Sequence, residues 1–137
     1  MKKKIDVIEV YDSYIAKINE DKQVKRYKDE EKWFHASSSG TCSRKIYYES
    51  VEQIPPAEKP SDTLRLFRLG DLVHEDIQTA MLNSEHADNV WIEKEILLKD
   101  LNVRGFLDLV VVKDKALYDI KTCNSYKWRT LFGRNPE

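Results

Sequence analysis

Two aspartates and one lysine, placed in apolar runs, are the side chains of this sequence best suited to chemistry. Asp108 interrupts the run 104–112, and Asp119 and Lys121 interrupt the run 116–123. Both runs predict buried strands, and a buried carboxylate is costly unless it is paired or binds a cation. The pattern therefore indicates a polar site within a hairpin rather than plain hydrophobic core.

The length of the turn between the two runs decides which of these side chains meet. Residues directly opposite in an antiparallel pair share a face, and a slip of one residue reverses it. A two-residue loop at 113–114 places Asp108 opposite Asp119. A four-residue loop at 113–116 places Asp108 opposite Lys121, with Asp119 two positions along on the same face. Both lengths bring the three groups together, whereas a three-residue loop without a bulge separates them.

Two carboxylates beside an ammonium group suit the hydrolysis of phosphodiester bonds. Hard oxygen ligands bind Mg²⁺, and a bound divalent ion stabilises charge on phosphoryl oxygens and lowers the pKa of a bound water. Lys121 could hold that water and stabilise the developing charge. A salt bridge within the hairpin is the structural alternative.

Four short segments, in order along the chain, carry a resemblance to a known family. They are Cys42-x-Arg44 with Tyr47-Tyr48, Gly70-x-x-x-His74, Gly105-x-x-Asp108, and Asp119-Ile120-Lys121. The last two resemble the signature of the PD-(D/E)XK nucleases. The first two resemble the C-x-R and G-x-x-x-H helix motifs of the RecB-like subgroup, which includes nucleases of CRISPR adaptation and phage recombination. The resemblance implies a restriction-endonuclease-like α/β core.

The resemblance also implies a metal centre. His74, Asp108 and Asp119 would ligate Mg²⁺ or Mn²⁺, joined by the backbone carbonyl of Ile120, and Lys121 would be the catalytic lysine. A nitrogen ligand favours Mn²⁺ somewhat, although a lone helical histidine is more often structural.

Further residues are candidates for the same site. Of two acids on one face of the run 90–98, we expect Glu95 to lie near the metal and Glu93 to lie on a solvated face. Candidate phosphate contacts are Arg44, Lys45, Arg65, Arg68, Lys127 and Arg129. Aromatic side chains that could stack on bases, or pack in the core instead, are Trp33, Tyr47, Tyr48 and Trp128.

The sequence departs from the subgroup in two respects. Iron–sulfur members use four cysteines, whereas this chain has Cys42 and Cys123 only. We therefore expect no iron–sulfur cluster. The Q-x-x-x-Y motif and the fourth core strand that follow the lysine motif are also missing. We expect the C-terminal part of the core to be truncated, and the chain to self-associate or to need a partner through its C-terminal half.

The elements that must position these residues follow from periodicity and turn residues. Helices are predicted over 5–20, around 42–48 and over 62–84, the last with an apolar stripe of Leu66, Leu69, Val73, Ile77 and Ala80. Residues 20–33 would form a second helix or a solvated linker. Strands are predicted over 90–98, 103–112 and 116–123, and another helix begins at 125–132. The expected fold is a three-stranded antiparallel or mixed sheet flanked by helices.

Length and charge set the outer limits. The 137 residues match one domain, divided into an N-terminal helical region at 1–35 and a catalytic core at 36–137. A net charge of −1 argues against an architectural DNA-binding protein. No apolar run is long enough to span a bilayer and no signal peptide is evident, so a cytoplasmic, intracellular location is expected.

Three functions compete at this point. The leading hypothesis is a metal-dependent DNA nuclease, an exonuclease acting at single- or double-stranded ends in recombination, repair or phage DNA processing. The second is a catalytically weak or inactive nucleic-acid-binding module with the same fold. The third is a protein-interaction domain with a structural salt-bridge cluster, which metal binding would exclude.

Overall fold

The computed structural model describes residues 5–27 and 32–133 and has an α/β architecture. A four-stranded mixed sheet is flanked by helices. The helices in this part of the chain are α1 (Val7–Tyr27), α2 (Ser43–Ser50), α3 (Ser61–Leu82) and α4 (Ser125–Phe132). The strands are β1 (Phe34–His35), β2 (Val90–Leu98), β3 (Val103–Val111) and β4 (Ala116–Tyr118).

Strand β3 is the centre of the sheet. It pairs with β2 along its whole length in antiparallel register, from Val90 opposite Val111 to Leu98 opposite Val103. On its other side, β1 pairs in parallel with the start of β3, and β4 pairs in antiparallel with its end. The predicted α/β class is confirmed. The prediction of three strands is wrong by one, because the two-residue β1 is too short to have a recognisable pattern.

The third predicted strand is the least accurate element. Residues 116–123 were expected to form one buried strand, but β4 ends at Tyr118, and Leu117 and Tyr118 are 60% and 50% exposed. Beyond β4, the Ile120 amide donates a hydrogen bond to the Asp108 side chain. Cys123, expected at the end of a buried strand, is exposed.

Helix α3 has nearly the predicted ends but presents a different face to the protein. The expected apolar stripe is largely exposed, with Leu66 at 67% and Leu69 at 56%, whereas Leu64 and Gln78 are buried. Because successive residues are about 100° apart around a helix, Leu66 lies on the side opposite Leu64. The prediction failed because the inward face combines the apolar Leu64 with the polar Gln78, so apolar spacing alone does not identify it.

Helix α1 packs against α3 and extends beyond its predicted end at residue 20. Ile15 and Leu64 are buried, at 2% and 8% exposure. Arg65 donates two hydrogen bonds to the Asp12 carboxylate, at 2.8 and 2.6 Å. The predicted segment 20–33 divides between α1 and residues 32–33, and positions 28–31 lie outside the described residues. Among the described helices, none has the length and apolar character needed to cross a membrane.

Candidate metal centre

Three side chains from three different elements converge beside the sheet. His74 comes from α3, Glu93 from β2 and Asp108 from β3, and one possible ligand atom from each lies within 4.8 Å of the others. An imidazole nitrogen and two carboxylate oxygens are a donor set that Mg²⁺, Mn²⁺ and related divalent ions accept. The described part of the chain thus contains a His/Glu/Asp group close enough to hold a metal ion.

Asp108 is the member of this group whose carboxylate is held by a backbone amide. Its Oδ2 accepts a hydrogen bond from the Ile120 amide at 2.8 Å and lies 3.8 Å from His74 Nδ1. Its side chain is 16% exposed and that of His74 is 26% exposed. A partly buried carboxylate held by a backbone amide keeps one orientation, so the geometry of Asp108 is fixed in advance of any ion.

Glu93 enters the group through the pairing of β2 with β3. The neighbouring pairs are Ile92 with Leu109 and Lys94 with Leu107, so Glu93 lies opposite Asp108. Its φ of 47° is in the left-handed region, although it is not a glycine. Such a conformation costs about 1–3 kcal/mol and persists only where the surroundings impose it. Strand β2 is therefore distorted at Glu93, the third member of the group.

Glu93 is exposed, as expected for a solvated strand face, and it also belongs to the group of three. A connection of four residues at 99–102 between the two predicted strands places Glu93 opposite Asp108. The sequence therefore contained a signal for the position of Glu93, in the register of the β2–β3 hairpin rather than in that of the β3–β4 hairpin. Glu95, the acid preferred from sequence, instead forms an ion pair with Arg104 and lies outside the group of three.

Gln78 forms hydrogen bonds with two members of the group of three. Its amide Nε2 donates to Glu93 Oε1 at 2.8 Å and to the Asp108 backbone oxygen at 3.0 Å. Gln78 is only 8% exposed, and a buried amide left without partners would be costly. Since it lies one turn after His74, the same face of α3 supplies a candidate ligand and ties two strands to the helix.

The second hairpin adopts the register of the two-residue loop. Leu109 pairs with Tyr118 and Val111 with Ala116, so Asp119 follows opposite Asp108, just past the end of β4. Asp119 nevertheless lies outside the group of three. Ile120 meets Asp108 through its amide, whereas the resemblance assigned its carbonyl to the metal.

Lys121 lies on the same segment and is bound to Asp119. Its Nζ donates to Asp119 Oδ1 at 2.7 Å, and the two side chains are 73% and 65% exposed. This hydrogen bond, assisted by the charges of Asp119 and Asp108, raises the pKa of the Lys121 ammonium above its usual value. The lysine is therefore a permanent cation close enough to Asp108 to sense its charge.

The candidate phosphate contacts are dispersed over the molecule. Arg68 lines the same cleft as His74 and contacts Glu75 at 3.3 Å. Arg65 is held by Asp12. The remaining four lie on the short helices: Arg44 over the Tyr48 ring at 5.7 Å, Lys45 at 3.8 Å from Glu49, and Lys127 and Arg129 exposed on α4.

The candidate stacking residues lie away from the group of three. Tyr47 is bonded to Glu52 and is half exposed, Tyr48 stacks edge-on against Tyr47, and Trp128 packs on Phe132 with ring centres 4.4 Å apart. Trp33 is partly buried. None of the four lines the cleft that contains His74.

That cleft lies between α1 and α3 and has a volume of about 360 Å³. His74 and Thr122 line it, and its other walls are a mixture of apolar and polar residues of the two helices. The Gly70 backbone approaches Thr122 here, and a Cβ atom at this position would lie 3.5 Å from Thr122 Oγ1. Through His74, the group of three thus adjoins an open space large enough for part of a ligand.

Comparison of the chain with protein-family models, curated proteins and solved structures gave no match. Function is therefore inferred from the site itself.

Proposed function

We propose that this protein is a divalent-metal-dependent nuclease with a PD-(D/E)XK core, which hydrolyses phosphodiester bonds of DNA. We further propose that it acts as an exonuclease at strand ends in recombination, repair or phage DNA processing. The observation that carries the proposal is the convergence of His74, Glu93 and Asp108, with the Asp119–Lys121 pair on the adjoining segment.

The donor set supports Mg²⁺ or Mn²⁺ as the cofactor. His74, Glu93 and Asp108 would hold the ion, and three protein ligands leave positions for water and a phosphate oxygen. A bound ion would supply Lewis acidity towards the phosphoryl group and a water of lowered pKa.

The remaining residues orient and stabilise. The Ile120 amide fixes the Asp108 carboxylate, and Gln78 fixes that of Glu93. Lys121, protonated at neutral pH, would stabilise negative charge that develops on the phosphate in the transition state. Asp119 holds the lysine beside the hairpin at 2.7 Å. The lysine thus keeps the role that the resemblance implies, whereas Glu93 is proposed as a ligand in place of Asp119 and the Ile120 carbonyl.

One observation favours a second candidate, a nucleic-acid-binding module without efficient cleavage. Asp119 and Lys121 are both largely exposed and are bonded to each other rather than to the group of three. A lysine that is ion-paired with its own neighbour stabilises the negative charge of a transition state less than a lysine without such a partner. Such a module would still bind a metal and DNA, but would not cut.

Cleavage of end-labelled single- and double-stranded DNA with Mg²⁺, Mn²⁺ or EDTA tests the proposal. We expect shortening of the labelled strand with either metal and none with EDTA. Asp108→Ala should abolish both cleavage and Mn²⁺ binding measured by calorimetry. Asp114→Ala, which removes an exposed carboxylate from the nearby turn, is the matched control and should change neither.

The outcomes separate the two candidates. Mn²⁺ and DNA binding without any cleavage would establish the binding module instead of the nuclease. Absence of both Mn²⁺ binding and cleavage, in a protein with a cooperative thermal transition, would reject the metal centre altogether.

A further inference from the structure

We propose that the cleft between α1 and α3 binds one unpaired nucleobase of the DNA strand, next to the phosphate at the metal centre. This inference rests on the proposed nuclease function, since it assigns the substrate group that lies beside the reacting phosphate.

The size and lining of the cleft suit a single flat aromatic group. Its volume of about 360 Å³ is at the lower end of the range of about 300–1,000 Å³ that small-molecule sites occupy. Ile15, Ile18 and Leu64 form apolar walls, and Phe67 lies beside them. A duplex end is far too wide for such a space, whereas one base without its partner is not.

The position of the cleft links it to the metal group. His74 lines the cleft and is also one of the three candidate ligands. Thr122, one residue after Lys121, lines it as well. A nucleotide whose phosphate is held by this centre can therefore reach the cleft. The base attached to that phosphate is the group that covalent geometry delivers there.

Charge at the cleft agrees with a nucleotide. Its charged lining residues are two cations, Lys22 and Arg68, and one carboxylate, Asp71. Lys22 is 2.5 Å from Asp71, and Arg68 contacts Glu75 at 3.3 Å. Each of these cations is thus paired with a carboxylate, so the charges at the cleft nearly balance, which suits an uncharged base, and the Asn19 amide offers both a donor and an acceptor to its edge.

Phe67 is the side chain that would recognise the base. It lies in the cleft lining and is 50% exposed, and Lys59 Nζ lies 5.8 Å from its ring centre. Stacking on an aromatic ring tolerates any base, because every base has a π-face. The cleft therefore confers a requirement for an unpaired base rather than a sequence preference.

Calorimetry with mononucleotides tests the cleft without relying on cleavage. The intact chain with saturating Mn²⁺ would be titrated with deoxyadenosine 5′-monophosphate and, separately, with deoxyribose 5-phosphate, which has the phosphate and sugar but no base. We expect the nucleotide to bind at least about tenfold more tightly, as one base–aromatic stack predicts.

Variants of Phe67 test whether this side chain causes the difference in affinity between the two ligands. Phe67→Ala should remove the preference for the nucleotide and leave Mn²⁺ affinity unchanged. Phe67→Leu keeps apolar volume and should also remove most of the preference, which covers the case in which the alanine variant does not fold. Phe106→Ala is the control, because Phe106 is similarly exposed, at 47%, but lies on β3 outside the cleft.

Failure of this inference differs from failure of the proposed function. Equal affinities for the two ligands, or a preference that survives both Phe67 variants, would overturn the base site even if DNA is cleaved. A preference for the nucleotide that Phe67→Ala removes would uphold the base site even if no DNA is cleaved, in which case the nuclease proposal alone fails.

Discussion

At the scale of single residues, the strained Glu93 and the buried Gln78 explain each other. A glutamate with a φ of 47° needs an interaction that holds it, and the Gln78 amide provides one at 2.8 Å. The same amide donates to the Asp108 backbone at 3.0 Å. Gln78 is thus a positioning residue for two candidate ligands and touches no reacting atom itself.

We predict that Gln78→Leu weakens Mn²⁺ binding by about 10- to 100-fold, the usual cost of removing a group that orients a metal ligand. The leucine fills a similar volume but leaves Glu93 without its donor. Calorimetry below the melting transition is the measurement, and Gln23→Leu on α1 is the control. An unchanged Mn²⁺ affinity together with a lower melting temperature would show that Gln78 serves packing alone.

Lys121 should separate catalysis from metal binding. We predict that Lys121→Ala lowers the cleavage rate by at least about 100-fold, as is typical when a transition-state donor is removed. Mn²⁺ affinity should change little, because the lysine is not a ligand. Lys113→Ala, an exposed lysine in the turn of the same hairpin, should cleave normally. Cleavage by the Lys121 variant at the parental rate would assign catalysis elsewhere.

At the scale of elements, the sequence predicted β2 and β3 well, but it predicted β4 and the inward face of α3 poorly. The bounds of β2 were correct because its apolar run ends at a clear turn, and the second hairpin has one of the two registers considered. The stripe on α3 failed because the rule that apolar residues face inward assumes a hydrophobic partner. The inward face instead presents His74 and Gln78 to the strands. The contacts of these polar side chains with β2 and β3 override the apolar pattern.

Gly70 tests how closely α3 approaches the segment after β4. A Cβ atom there would meet only Thr122 Oγ1, at the ordinary contact distance of 3.5 Å. We therefore predict that Gly70→Ala stabilises the protein by about 0.5–1 kcal/mol, the usual gain within a helix.

Denaturant unfolding of the parent and of two variants, Gly70→Ala and Gly105→Ala, measures this effect. At Gly105 an added Cβ would lie 3.1 Å from the Ala36 Cβ, so Gly105→Ala should show a loss of stability or a smaller gain. A clear destabilisation by Gly70→Ala would mean that the helix packs more tightly on Thr122 than the contact distance indicates.

At the scale of the whole molecule, the described chain leaves much apolar surface uncovered. The accessible surface is 11652 Å², whereas a compact monomer of this mass exposes about 7,400 Å². Exposed apolar side chains occur along the whole described chain, and in its C-terminal part Leu117, Leu131 and Phe132 are each more than half exposed. Strand β4 pairs with β3 only, among the described strands. An open strand edge beside an apolar patch is a surface that another chain tends to cover.

We therefore predict that the protein self-associates through β4 and α4. Light scattering during size-exclusion chromatography should give a mass that rises with concentration towards that of a dimer. Leu117→Lys should shift the protein to monomer, because a lysine on an edge strand opposes pairing with another chain. Ile5→Lys alters a residue that is 77% exposed near the other end of the chain and should leave the mass unchanged. If the parent protein is monomeric at every concentration tested, the apolar surface of β4 and α4 does not bind a second copy.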